Sequence, residues 1–349
     1  MKYILGSLVL IPMTLLLDVA DIGGHSLIFV LSVLSLIPLA ALLGRATEVV
    51  AVHTGPRIGA LLNATLGNAA ELIILIVALR QGLVEVVKAS IAGAIIGNIL
   101  VVLGLSLLVG GLKNGTQFFD PKSAGTNATM MALAVVALVI PAIFALGGDL
   151  RPSDRDIDRL SDGLAIVLVI VYVLYLFFSL RQESPAAHHH AEEGPPSMKL
   201  PVAIGVLIAA TLTIVVMSEV LVGALEPTAE SWGLSELFVG VMLLPVVGNI
   251  AESIVAVQVA HANKMDLSLG IAVGSGLQIA LFVTPILVLV SIIVGDQISL
   301  VFNSYELAGL VGAALIAVLI SVDGESNWLE GVELIALYTM LGIAFFFVP

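Results

Sequence analysis

The chain has 349 residues, of which 59% are hydrophobic and only 11% charged, and its mean hydropathy is +1.15. Such a composition excludes an ordinary water-soluble domain and predicts an all-α polytopic membrane protein. The formal charge of −13, from 13 Lys+Arg against 26 Asp+Glu, argues against nucleic acid as a partner and suits a cation. With no cysteine there can be no disulfide, thiolate metal site or cysteine nucleophile.

In chain order, Met1 to Leu17 has one Lys before an apolar stretch, as a signal peptide would. Its end, Asp18-Val19-Ala20, puts an acid where cleavage needs a small residue, so this is read as a short first span. A hydrocarbon core of about 30 Å needs roughly 20 helical residues. Spans are accordingly predicted near 3–17, 26–44, 58–79, 85–110, 126–147, 162–180, 200–222, 236–260, 268–294, 304–322 and 329–348, about 11 transmembrane helices. The most polar connection, "RQESPAAHHHAEEGPPSMK", contains three prolines and divides the chain into near-equal halves. The expected organisation is an N-terminal helix (1–25), a first five-helix repeat (26–180), a polar linker (181–199) and a second five-helix repeat (200–349).

The halves repeat without a gap at a fixed offset of 181 residues. That offset pairs Gly59 with Gly240, Leu62 with Leu243, Gly67-Asn68 with Gly248-Asn249, Ala70-Glu71 with Ala251-Glu252, and Gly93 with Gly274. Glu85 meets Asp266, an acid in the same inter-helix turn. Apolar coincidences are common between membrane segments, but an aligned G-N-x-A-E is not. Five spans per repeat would invert the second copy, giving two inverted five-helix repeats of the kind that hold a substrate at the midplane of secondary transporters. Lys and Arg are more frequent on the side of the N-terminus and linker, which places both in the cytoplasm. Arg151, Arg155 and Arg159 sit on the other side. Short loops without targeting tags suit a prokaryotic cell membrane.

Asn68 and Glu71 are three residues apart and share a helix face, as do Asn249 and Glu252. Each repeat thus presents an amide beside a carboxylate, just after a glycine that weakens the helix; Pro245 weakens the second copy further. A carboxylate at mid-membrane costs about 2.5–3.5 kcal/mol on insertion scales, so a pair needs neutralising. Oxygen ligands alone suit a hard divalent cation such as calcium, which takes 6–8 of them. Protons can neutralise the same pair, because burial and a neighbouring carboxylate both favour the protonated form. Metal and protons then compete for one set of oxygens, and the empty dianion cannot cross, which makes exchange obligatory. The proposed metal ligands are Glu71, Glu252, Asn68 and Asn249. Ser90 and Asn98, and Ser275 and Gln278 in the helices that follow, add neutral oxygens, while Glu48, Glu219 and Glu226 near span ends are candidates for relay. The bland alternatives are that the two asparagines cap helices after a glycine break, and that the three acids and His188-His189-His190 are simply solvated.

"GNAAEL" and "GNIAES", with "PLAALLGRATE" before the first and "SEVLVG" then "LPVVGN" before the second, resemble the cation/proton exchanger family of the calcium/cation antiporter superfamily. The resemblance runs from about Pro38 to the C-terminus. It implies calcium/proton antiport through ten core helices in two inverted fives, with Glu71 and Glu252 as shared ligands and accessory roles for Asn68, Asn249, Ser275 and Gln278. Calcium, protons and the lipid bilayer are the implied partners; no resident cofactor and no oligomeric state is implied. Relatives often have a strongly acidic stretch between the halves. This linker has only Glu183, Glu192 and Glu193, which gives no basis for a regulatory acidic helix. A sodium/calcium exchanger on the same scaffold would want more acids than span 9 offers, and a divalent cation channel fits an inverted repeat with two buried acids less well. No H-E-x-x-H pair or Ser with a membrane-buried His suggests an enzyme.

Overall fold

The computed structural model describes residues 8–147, 152–181 and 198–348. Arg151 and the linker residues Glu183, His188, His189, His190, Glu192 and Glu193 lie outside them. The described residues are almost wholly helical, and eight helices are long and apolar enough to cross a membrane. A bent pair, Glu236–Ile250 and Glu252–His261, makes a ninth crossing if taken as one, and two shorter apolar helices, Leu10–Val19 and Ser304–Ile320, accompany them.

After α1 (Leu10–Val19) comes α2 (Gly24–Thr54), which at 31 residues exceeds the predicted span. Apolar residues continue past Leu43, and the helix stops only at Gly55, whose φ of 88° few other residues adopt. Pro56 then opens α3 (Pro56–Leu66), a position that needs no N–H. The predicted span 58–79 is divided in two, since Gly67 and Asn68 interrupt the helix before α4 (Ala69–Arg80). Helix α5 (Val84–Gly97) passes through a π-helical segment, Asn98–Leu103, into α6 (Gly104–Asn114). Helices α7 (Pro121–Leu146) and α8 (Asp154–Arg181) complete the first half.

The second half opens with α9 (Leu200–Gly223), followed by α10 (Leu225–Trp232), a short helix the sequence reading does not include. A turn at Glu236–Phe238 leads through a second π segment, Val239–Leu243, into α11 (Leu244–His261). Helix α12 (Met265–Gln278) continues through a third, Ile279–Val283, into α13 (Thr284–Val294). Helices α14 (Ser304–Ile320) and α15 (Trp328–Phe346) close the chain. The π segments that begin at Asn98 and Ile279 stand at the same 181-residue offset as the sequence match.

A two-residue ladder of β1 (Gln117–Phe118) against β2 (Glu325–Ser326) marks one face of the molecule. Gln117 Nε2 donates to the Ala260 carbonyl at 2.9 Å and Asn263 Oδ1 at 3.0 Å, and Asp120 N–H donates to Asp266 Oδ1 at 2.7 Å. The loops after α6, α11 and α14 are thereby tied together on this strand face. The opposite face carries the Ser26–Ser231 contact at 3.0 Å and the Lys88–Glu85 ion pair at 3.0 Å.

The stretches 84–114 and 265–294 are the most enclosed, 78% and 56% buried along their apolar length, and form the centre of one hydrophobic core. A second core packs α2 against α4, α9 and α11. Backbones approach closely where glycine permits: a Cβ on Gly331 of α15 would lie 2.4 Å from the Leu108 nitrogen of α6. Gly331→Leu is expected to force this pair apart, costing about 1–3 kcal/mol and lowering the melting temperature of the purified protein. Gly205→Ala, where a Cβ meets nothing within 4 Å, should melt with the wild type.

Candidate cation site

The interruption at Gly67–Asn68 aims the first motif. Asn68, with φ −95° and ψ 19°, leaves helical geometry and becomes the residue before α4, so Glu71 falls in the first turn, where the helix dipole favours a carboxylate. Asn68 occupies the N-cap position but its side chain makes no capping bond. Its Nδ2 donates to Gln278 Oε1 at 2.6 Å, and its Oδ1 accepts from Ser275 Oγ at 3.3 Å. Asn98 Nδ2 donates to Ser275 Oγ at 3.2 Å. One amide of the first half is therefore held by two side chains of α12, and these are steadied by the π segment after α5.

Each motif glycine faces the other motif's acid. A Cβ built on Gly248 would lie 3.5 Å from Glu71 Cβ, and one on Gly67 would lie 3.8 Å from Glu252 Oε1 and 3.5 Å from Gln278 Oε1. A Cβ at Gly248 would just touch Glu71, with no room beyond it for a larger side chain, while one at Gly67 would press on the Asn63 carbonyl at 2.8 Å. Glu71 is only 5% exposed. Both of its carboxylate oxygens, and Oε2 of Glu252, are buried without a hydrogen-bond partner. A buried carboxylate left so is costly unless a cation or proton joins it.

A cavity of about 1370 Å³ reaches this pair. Glu71, Glu252, Asn68, Ser275 and Gln278 line its inner end, and Asp120, Lys264 and Asp266 lie at its mouth on the strand face. Glu48, half-buried on α2, is on its wall. The other sequence candidates stand elsewhere. Ser90 donates to the Gly240 carbonyl at 3.2 Å, Asn98 lies behind Ser275, and Asn249 is buried but does not line the cavity. Glu219 on α9 and Glu226 on α10 are exposed and outside it. Sequence reasoning missed Tyr175 and Asn127, which share the cavity wall and bond to each other at 2.8 Å; only their polarity inside apolar spans could have marked them.

Among the described residues no three His, Asp or Glu side chains gather closely enough to hold a metal by themselves. A metal held by the two carboxylates would have to be completed by neutral oxygens. Asn68 Oδ1 and Gln278 Oε1 each accept one hydrogen bond and keep a second lone pair. The donor set is all oxygen and adaptable, the chemistry of a hard divalent ion.

The sodium/calcium exchanger protein family matches residues 25–181 and 202–347. The Ca(2+)/H(+) antiporter of Aphanothece halophytica is 46% identical over 366 residues, covering 99% of this chain and 96% of that protein. The Ca(2+)/H(+) antiporter ChaA of Bacillus subtilis (strain 168) is 44% identical over 328 residues, 92% of each. Among solved structures, native YfkE superimposes with a TM-score of 0.83 at 40% identity, over 97% of both chains. The H+/Ca2+ exchanger CAX, at 18% identity and a TM-score of 0.78 over 99% of this chain and 91% of that one, shares the fold.

If Glu71 is an uncompensated buried acid, Glu71→Gln should raise the melting temperature of cation-free protein at pH 9 by about 2–4 °C. Millimolar calcium should stabilise the wild type, as any ligand of the native state does, and leave the variant unmoved; thermal unfolding with and without chelator checks both.

Proposed function

We infer from the sodium/calcium exchanger family, to which this chain belongs, that it exchanges calcium for protons across a membrane by alternating access. Calcium and protons compete for Glu71 and Glu252, with Asn68, Ser275 and Gln278 supplying neutral oxygens. The observation that carries this reading is the pair of carboxylates with three buried oxygens lacking a partner, each set against the other motif's glycine at the end of a cavity open to one face. Protons are preferred to sodium as counter-ion because α12 and α13 have Ser275 and Gln278 but no acid between Gly270 and Gly295. The names of the relatives agree. Asn249 and Asn98 act by holding the motif helices in place, and Glu48 guides ions along the cavity wall.

Inverted five-helix repeats, joined by the 181–199 linker, account for the contrast between the two ends of the site. Away from the cavity, α5 is sealed against the π segment Val239–Leu243. A Cβ on Gly93 would meet the Val241 carbonyl at 2.1 Å, and one on Gly240 would lie 2.6 Å from Ala89 Cβ. The 181-residue offset turns this seam into one between α12, at Gly270 and Gly274, and α3 near Gly59. There neither Gly270 nor Gly274 would have anything within 4 Å of an added Cβ, and Gly270 lines the cavity. One seam is shut and its counterpart open, as an alternating-access transporter requires at any instant. With the linker and N-terminus in the cytoplasm of a prokaryotic cell, this state faces inward.

Everted membrane vesicles with an acidic interior are expected to take up calcium without sodium, and Glu71→Gln and Glu252→Gln should each reduce uptake to background. Retained proton-driven uptake in either variant, or uptake that needs a sodium gradient, would overturn the assignment. The calcium concentration for half-maximal uptake should rise as external pH falls from 8 to 6, because protons bind the same oxygens. Gly274→Leu is expected to bind calcium but not exchange it, since the open seam has room for the side chain and the shut one does not.

A further inference from the structure

Tyr172 belongs to α8, outside the motif helices, and is 2% exposed. Its ring stacks on Phe282 of the third π segment, with centroids 5.3 Å apart and planes 27° from parallel. Its hydroxyl donates to the Ala64 carbonyl at 2.8 Å. Ala64 lies in the last turn of α3, immediately before the interruption. In an unbroken helix that carbonyl would accept from the Asn68 N–H. Here Gly67 N–H goes to Asn63 O and Leu72 N–H to Asn68 O, and no backbone donor reaches Ala64 O among the described residues. The interruption thus leaves the Ala64 carbonyl without a backbone donor within the membrane-spanning part of the chain, where such a group needs a partner, and Tyr172 is that partner.

We propose that Tyr172 is a positioning residue for the cation site: its hydroxyl holds the Gly67–Asn68 interruption in place and so aims Asn68 and Glu71 into the cavity. The alternative partner for the Ala64 carbonyl is the Asn68 N–H. Forming that bond would regularise the helix, rotate Asn68 away from its present φ and ψ, and draw its amide off Gln278 and Ser275. The hydroxyl decides between the two arrangements, and the stack on Phe282 fixes where it points. One turn further along α8, Tyr175 bonds Asn127 of α7, which anchors the same stretch of α8 from a second side.

This inference rests on the cation-site reading above, so the test measures calcium binding directly as well as transport. Tyr172→Phe removes one oxygen and keeps the ring stack. In the full-length protein its calcium half-saturation should rise about tenfold, the scale of one unmade hydrogen bond, with the maximal rate within about twofold of wild type. Hydrogen exchange over residues 64–72 should slow as Asn68 N–H gains an acceptor, whereas simple local loosening would speed it. Calcium binding and half-saturation within about twofold of wild type would overturn the inference. If Tyr172→Phe cannot be purified, Phe282→Leu, which frees the ring and keeps the hydroxyl, should raise half-saturation in the same direction; no change there overturns the inference equally. A wild-type protein that binds calcium but shows no proton-driven uptake would sink the antiport reading instead, and leave the Tyr172 comparison to be made on binding alone.

Discussion

Two carboxylates, Glu71 and Glu252, meet at the inner end of a cavity within the membrane-spanning part of the chain, and neither has a full set of protein partners. The rest of the molecule follows from that constraint. Within the membrane, separated charges are not screened by solvent, so the pair is tolerated only when a doubly charged ion or protons cancel it. A glycine four residues before each acid lies against the opposing acid, and the helix interruption in the first half turns Asn68 toward Gln278 and Ser275.

The architecture around the pair is asymmetric in a way that one sequence, doubled, would not announce. Equivalent glycines in α5 and α12 have different surroundings: Gly93 is pressed against the Val241 backbone of the second half, and Gly274 borders open space. On the proposed alternating-access reading, small residues suit both seams, because a seam that opens and closes has to bring backbones together without side chains interlocking. Larger residues would gain contact area in one state and forbid the other.

Asn68 shows how local and tertiary effects trade. By position it is a helix cap, the commoner employment of an asparagine after a glycine, yet its amide is committed to Gln278 and Ser275 from the other half. The bond that the Ala64 carbonyl loses at the interruption is made good by Tyr172 from a third helix. A local irregularity that would destabilise an isolated helix is thus held by partners far away in the chain.

Composition and pattern alone determined much of this protein. Long apolar runs dictate membrane helices, because backbone groups in lipid must bond within their own segment, and the recurrence of G-N-x-A-E picks out Glu71 and Glu252, because acids in such runs are too costly to be incidental. Helix limits were less legible: α2 runs ten residues past its predicted end because nothing before Gly55 stops it, and α10 is too short and polar to register as a span. Among the accessory residues, periodicity could not tell Gln278 and Ser275, which line the cavity, from Ser90, Asn249, Glu219 and Glu226, which do not. That distinction is made by which helix faces lie against one another, a property of packing between segments up to 210 residues apart. Tyr172 was invisible for the same reason: a hydroxyl acquires its role only from the carbonyl that the fold sets in front of it.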